Sequence, residues 1–214
     1  MLKKIQIYKK TGFTVLFSVF CFLLYSFFPT QETLQGITSF AVFFIIFPLL
    51  FWKIIQKKEL QDLGLRLGDW KKGLFFSGVS LLFSFIIFFI LFKSGLLHKN
   101  YSILKIFIDS FFLFLFYEFF VIGFLFACLS FFFNGFFLFS IEKEAGKFSP
   151  ILVFIVFLTF MFFAKSLSPV FLFVIINMFF GGWIALKSRS LLYPILSGLL
   201  FSLIADSLVI KFLL

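Results

Sequence analysis

The sequence predicts an all-α protein, a polytopic transmembrane helix bundle, and three observations support this fold class. Of the 214 residues, 63% are hydrophobic and only 13% are charged, whereas a typical soluble domain is about 45–50% apolar and about 25% charged. The apolar residues form continuous runs, which is typical of membrane helices and not of transmembrane barrels. The basic residues are scattered between these runs, so the net charge of +10 does not indicate a nucleic-acid partner.

Seven apolar runs predict about seven membrane spans, since a span takes about 20 residues of helix. The runs are 11–29, 36–55, 73–97, 103–141, 149–166, 169–186 and 190–214. The fourth run is too long for one crossing, and a break at Asn134-Gly135 leaves too few residues to cross back. We therefore expect one span over about 105–130, followed by an interfacial or re-entrant tail.

The positions of Lys and Arg predict a cytoplasmic N-terminus and an outer C-terminus. With seven spans in this orientation, fourteen of the nineteen basic residues fall on the inner side, as the positive-inside rule requires. Attraction to anionic headgroups is a secondary effect of the same charge. The first run fits an uncleaved signal-anchor, because no small-x-small cleavage site precedes Gln31. The expected location is a cell membrane, the bacterial cytoplasmic membrane.

Ionisable residues inside spans are candidates for function, because each costs about 2.5–3.5 kcal/mol at the bilayer centre. Glu118 lies near the midplane of the fourth run, so it is protonated, hydrogen-bonded to a neighbouring span, or facing a hydrated cavity. Asp109, Lys165 and Asp206 share a depth nearer the outer side. They predict an ion-paired cluster that locks spans four, five and seven, and independent snorkelling to the interface is the alternative.

Metal and cofactor chemistry is not expected. Cys21 and Cys128 lie within apolar spans, where cysteine behaves as a small hydrophobe. The one histidine, His98, falls in an outer loop and is most simply a solvated residue. These residues have no metal-ligand spacing, so we predict no metal and no cofactor.

Three stretches carry a family resemblance: 62–74 (DLGLRLGDWKKGL), 117–126 (YEFFVIGFLF) and 182–198 (GWIALKSRSLLYPILSG). In order and spacing they are similar to motifs of the CPBP family, the CAAX-protease and bacteriocin-processing (Abi) intramembrane proteases. The resemblance covers about residues 60–214. It implies a single integral-membrane domain, in which residues 1–58 add two spans and a basic loop to a CPBP-like core.

The resemblance implies a site in which glutamate and histidine activate water, but this chain departs from it. In the motif E-E-x-x-x-R the first Glu is replaced by Tyr117, the second is retained as Glu118, and the Arg position is Ile122. The histidine of the following span falls near Ala164. The final motif H-x-x-x-N falls on Gly198 and Ser202, so the histidine and asparagine are replaced as well.

These replacements predict a catalytically degenerate protein that acts as a binding or scaffold protein in the membrane. Its ligand would be a membrane peptide, a lipid or a partner helix. One alternative is an atypical intramembrane protease that uses Glu118. Another is a small transporter or channel component with Glu118 as its coupling carboxylate, although no inverted repeat is visible. The residues expected to line a cavity are Tyr117, Ile122, Ala164, Asn177, Gly198 and Ser202.

Overall fold

The computed structural model describes residues 2–28, 33–95, 110–163 and 172–213, and these residues contain no β-strand. They form seven long helices: α1 (Leu2–Phe27), α2 (33–55), α3 (Trp70–Lys93), α4 (111–145), α5 (Ser149–Phe163), α6 (Leu172–Ser188) and α7 (Leu192–Leu213). Short 3₁₀ helices, Leu60–Leu63 and Gly146–Phe148, lie between α2 and α3 and between α4 and α5. Helices suit so apolar a chain, because every backbone polar group must be satisfied internally in lipid.

Four helical segments among the described residues are long and apolar enough to cross a membrane. They are Gln35–Ile55, Trp70–Lys93, Phe111–Phe163 and Leu192–Phe212. Two further apolar helices, Thr11–Phe27 and Phe173–Ser188, are shorter. These lengths agree with a helical membrane protein, whereas the count of seven spans and the orientation remain predictions.

The segment Phe111–Phe163 consists of two helices that fold back on each other. In one straight helix, Phe133 and Phe157 would lie about 36 Å apart at 1.5 Å per residue, yet their ring centroids are 5.2 Å apart. The chain reverses near Gly146, which has a φ of +54°. Glycine adopts positive φ without steric penalty, so α5 can return alongside α4.

The predicted end of the fourth span differs from the structure. Helix α4 continues through Asn134 and Gly135 to Ala145 without a break, and residues 130–141 are all buried. The Asn-Gly pair suggested a turn, but here the glycine allows close packing. A Cβ at Gly135 would lie 2.7 Å from Leu191 Cδ1 and 3.0 Å from the Leu63 carbonyl oxygen. The expected interfacial tail is therefore a buried part of α4.

Two helices contain π-helical turns, α2 at Val42–Ile46 and Phe51–Ile55, and α4 at Tyr117–Ile122 and Ser130–Phe137. A π turn has a wider hydrogen-bond spacing than an α-helix and is frequent at functional sites. It also interrupts the regular rotation of about 100° per residue. Regular α-helical spacing therefore does not predict which residues before and after the turn at Tyr117–Ile122 share a helical face.

Helix α3 uses small residues where it packs against α6 and α7. Its buried small residues are Gly73, Ser77, Ser80 and Ser84, and this spacing puts them on one helical face. Small residues let membrane helices approach closely. A Cβ at Gly73 would lie 2.4 Å from the ring of Tyr193 at the start of α7.

At one end of the bundle, α2, α4 and α6 end and α3, α5 and α7 begin. Gln56 Nε2 donates to Thr14 Oγ1 of α1 at 2.6 Å, and the Asp69 N–H donates to the Ser188 carbonyl at 2.8 Å. We call it the basic end, because its described residues include Lys53, Lys57, Lys58, Arg66, Lys71, Lys72, Lys143, Lys147, Lys187 and Arg189. The opposite helix ends carry Lys93 and Lys211 among the described residues.

Replacing Gly68 with alanine should destabilise the basic end. Gly68 has a φ of +60°, and a Cβ there would lie 2.1 Å from the Ser188 carbonyl oxygen. We expect Gly68→Ala to lower the free energy of unfolding by about 2–3 kcal/mol, because positive φ is strained for alanine. Gly78→Ala is the matched control, since nothing lies within 4 Å of its Cβ position. Unfolding in detergent micelles measures both, and equal stability of the two variants would contradict the expectation.

The cap of α3 should make stability depend on pH. Asp69 Oδ1 accepts from the Lys72 N–H at 3.1 Å, and Lys72 Nζ lies 2.8 Å from Asp69 Oδ2. The hydrogen bond from the Lys72 ammonium, and then that from its backbone N–H, lower the pKa of the Asp69 carboxyl. Because the pKa of Asp69 is lower in the folded state, its ionised carboxylate stabilises the fold at pH values above the unfolded-state pKa of about 3.9. This stabilisation is lost as the pH falls through the lowered value.

Asp69→Asn should therefore be less stable than the original chain at neutral pH. Asparagine still caps a helix but cannot pair with the Lys72 ammonium, so the stability difference should vanish as the pH falls below the lowered pKa. Unfolding curves at a series of pH values in one detergent measure the difference. A difference that stays constant with pH would refute the proposed role of the charge.

Candidate functional site at the α4–α7 interface

Glu118 is enclosed between α4 and α7. Its side chain has no exposed surface, and it lies in the π turn Tyr117–Ile122. The Ser202 hydroxyl donates to Glu118 Oε2 at 2.8 Å. The other carboxyl oxygen, Oε1, has no hydrogen-bond partner among the described residues. Of the three environments expected for Glu118, the structure therefore shows a hydrogen bond to a neighbouring helix.

The contact between Glu118 and Ser202 lies halfway along α7. Ser202 is about 15 Å from Leu192 and about 16 Å from Leu213 at 1.5 Å per residue. The carboxyl group is therefore far from both ends of the helix. A polar group at such a depth needs a partner inside the protein, because no interfacial water is in reach.

One turn before Ser202, Gly198 packs against an aromatic ring of α4. A Cβ at Gly198 would lie 3.0 Å from Phe126 Cδ1, and Phe126 is itself buried. Nearby, a Cβ at Gly123 would lie 2.6 Å from Leu199 Cδ1. The two helices are thus in close contact. A histidine at Gly198, where the CPBP resemblance places one, would require Phe126 to move.

Asp206 follows Ser202 by one helical turn, and this spacing puts both residues on the same face of α7. Its side chain is 5% exposed, and its Oδ1 has no hydrogen-bond partner among the described residues. The other members of its predicted ion-paired cluster, Asp109 and Lys165, lie outside the described residues. The ion-paired cluster of spans four, five and seven therefore remains a prediction.

The other predicted cavity residues occupy different surroundings. Tyr117 and Ile122 are half-buried in the same π turn as Glu118. Asn177 is buried on α6, and its Nδ2 donates to the Phe173 carbonyl of its own helix at 2.9 Å. Ala164 lies outside the described residues. The structure thus brings Glu118 into contact with Ser202, one turn from the close packing of Gly198 against Phe126. Asn177 instead donates its hydrogen bond within its own helix.

Sequence reasoning missed several buried polar residues, among them Asn134, Ser80 and Ser84. Asn134 of α4 is fully buried, its Nδ2 lies 3.8 Å from Met178 Sδ, and its Oδ1 has no partner among the described residues. Ser80 and Ser84 of α3 are buried, and neither hydroxyl has a hydrogen-bond partner in the described part of the chain. The serine spacing in the third run could have indicated a packing face. Asn134 could not be found because Asn-Gly is also a turn signal.

The described residues contain no cluster of metal ligands, and the side-chain hydrogen-bond partner of Glu118 is Ser202. In residues 2–28, 33–95, 110–163 and 172–213 no three His, Cys, Asp or Glu side chains are close enough to hold a metal ion. Cys21 and Cys128 are buried free thiols. Activating a water molecule takes a proton acceptor within reach of that water and a positioned partner. Glu118 is enclosed, and its contact in the described structure is a serine hydroxyl.

Comparison with known proteins adds no relative: no family model matches the chain, and neither a curated protein nor a solved structure matches it.

The hydrogen bond between Glu118 and Ser202 should stabilise the α4–α7 contact. Ser202→Ala removes the donor, and we expect it to cost about 1–3 kcal/mol, because it leaves a buried carboxyl group unsatisfied. Ser207→Ala is the matched control on the same helix. Ser207 is exposed and bonds to its own Leu203 carbonyl, so its loss should cost less than about 0.5 kcal/mol.

A double-mutant cycle separates this bond from general packing. In a Glu118→Leu background the acceptor is gone, so Ser202→Ala should cost less than about 0.5 kcal/mol. Glu118→Gln serves as the background if Glu118→Leu does not fold, with a smaller difference expected. Equal cost of Ser202→Ala in the original and substituted backgrounds would rule out the coupling.

Proposed function

We propose that the chain is a non-catalytic, multi-pass membrane protein with a CPBP-like arrangement of helices, and that it acts by binding a membrane peptide, a lipid or a partner helix. One observation carries the proposal: the ring of Phe126 occupies the space beside Gly198 where the family would hold a histidine. The adjacent carboxyl group, Glu118, is fully enclosed and bonded to Ser202. Such an arrangement supplies packing and not a hydrolytic site.

The contacts between α4 and α7 support the resemblance part of the proposal. The resemblance assigns site roles to the positions of Glu118, Gly198 and Ser202, and these positions meet at one helix interface. They are distant in the sequence, so their proximity depends on the fold. In this chain Gly198 and Ser202 stand where the family motif has histidine and asparagine. The helix bundle would then be kept without those reactive groups.

The membrane topology in this proposal is seven crossings, with the basic end in the cytoplasm of a cell. The described helices alternate in direction between the basic end and the opposite end. Outside α1, ten described Lys and Arg residues lie at the basic end and two at the other, which is the asymmetry that the positive-inside rule predicts. The N-terminus is then inside and the C-terminus outside.

A small transporter is the second candidate, and a different observation favours it. Glu118 Oε1 and Asp206 Oδ1 are buried carboxyl oxygens without a hydrogen-bond partner among the described residues. Their helices, α4 and α7, are in contact. Buried carboxyl groups in membrane helices are used for proton and ion coupling, so Glu118 would then be the coupling residue.

Family-type peptide substrates should bind without being cleaved. We expect purified protein in proteoliposomes to leave lipidated peptides and bacteriocin-leader peptides intact, because no described group activates water. A peptide that fits the bundle should instead raise the protein's melting temperature in a concentration-dependent manner. Mass spectrometry of the peptides measures cleavage, and thermal unfolding measures binding.

Glu118→Gln is the matched variant for this experiment. Cleavage by the original chain that disappears in Glu118→Gln would overturn the non-catalytic proposal. Proton-dependent uptake into proteoliposomes that disappears in the same variant would replace it by the transporter. The absence of both activities, together with thermal stabilisation by peptide or lipid, is the expected result.

A further inference from the structure

A polar cavity of about 210 Å³ opens at the basic end of the bundle, between the loop after α2, the end of α4 and the turn from α6 to α7. We call it the basic pocket, and its charged lining residues are Lys58, Asp62, Arg66, Glu142, Lys143 and Arg189. Glu142 is more than 30 Å from Glu118 along α4, at 1.5 Å per residue. The basic pocket is thus separate from the α4–α7 site.

The charges of the basic pocket favour an anion. Four basic side chains face two acidic ones, and one acid is already neutralised inside the lining. Arg189 holds Glu142 by two hydrogen bonds, from Nη1 to Oε2 at 2.5 Å and from Nη2 to Oε1 at 2.6 Å. The other charged lining residues are Lys58, Arg66, Lys143 and Asp62, so the lining has a net positive charge. An anion entering the pocket meets an excess of positive charge.

The cationic groups are positioned by contacts within the lining. Arg66 Nε donates to the Arg189 carbonyl at 3.2 Å, which orients its guanidinium. Its terminal nitrogens make no hydrogen bond within the described structure and can donate as a fork to phosphate oxygens. Lys58 Nζ lies 4.1 Å from the ring centroid of Trp52, a cation–π distance. The donors are thus held in place before a ligand arrives.

The loop beside the basic pocket has the composition of a membrane interface. Next to Arg66, Leu67 is 72% exposed, and at the start of α3 Trp70 is 59% exposed. Tryptophan is enriched at headgroup depth in membrane proteins, and exposed leucine is favourable there when it contacts acyl chains. Lys71 and Lys72 follow directly. This pattern places the mouth of the basic pocket at the level of lipid phosphates.

We infer that the basic pocket binds the phosphate group of an anionic phospholipid from the leaflet at the basic end. Basic pockets at this level bind anionic headgroups in membrane proteins. Its volume of about 210 Å³ is below the range of about 300–1,000 Å³ for small-molecule sites, which suits one headgroup. The inference rests on membrane embedding alone and is independent of Glu118 and of any reaction.

The test compares two charge-matched double variants in detergent. Arg66→Gln/Lys143→Gln removes two cations from the pocket lining, and Lys147→Gln/Lys187→Gln removes two exposed cations at the same end but outside that lining. Short-chain phosphatidylglycerol is titrated against phosphatidylcholine, and binding is followed by native mass spectrometry and thermal shift. The original chain should prefer phosphatidylglycerol. The pocket variant should lose about twenty-five-fold in affinity, at roughly fivefold for each basic residue, whereas the control variant should lose much less.

Several outcomes would overturn the inference. Equal losses in the two double variants would mean that general charge at the basic end attracts the lipid. Equal binding of phosphatidylcholine would remove the anion preference. Inorganic phosphate that produces the same thermal shift would assign the pocket to a soluble anion instead. If the pocket variant does not fold, as judged by its lipid-free melting temperature, Lys143→Gln alone tests the same site through one exposed side chain.

Discussion

The enclosure of the second half of α4 by its neighbours is the constraint on which the rest of the structure depends. Between residues 130 and 141 every side chain of α4 is buried, and its aromatic rings contact α1, α2 and α5. Phe133, for example, lies 5.7 Å from Phe22 and 5.2 Å from Phe157 between ring centroids. Lipid chains are as apolar as these side chains, so the hydrophobic effect contributes little to helix association in a membrane. Dense van der Waals packing then holds the helices together.

The same close contact determines what the α4–α7 interface can do. Gly198 and Gly123 let the two helices approach until Phe126 and Leu199 fill the space between them. A site for water and substrate needs open volume beside the carboxyl group, whereas here Glu118 is sealed against Ser202. The residues present at this interface pack closely around the carboxyl group.

The surface at the basic end is charged, in contrast to the apolar interior. Its charges lie where the chain turns, next to the exposed side chains of Leu67 and Trp70. The pair of Arg189 and Glu142 joins the turn after α6 to the end of α4, and the Asp69 N–H bonds to the Ser188 carbonyl. These links hold the loops in one arrangement and shape the basic pocket between them.

The sequence by itself determined the all-helical membrane class, because hydropathy and charge are properties of single residues and short runs. It also singled out Glu118 as a polar residue within an apolar run. Only the tertiary structure decided that α4 continues past Asn134-Gly135 and that Ser202, 84 positions away, is the partner of Glu118. It likewise decided that Phe126 packs beside Gly198. Contacts between distant residues depend on how whole helices pack, and no local pattern in one sequence records that arrangement.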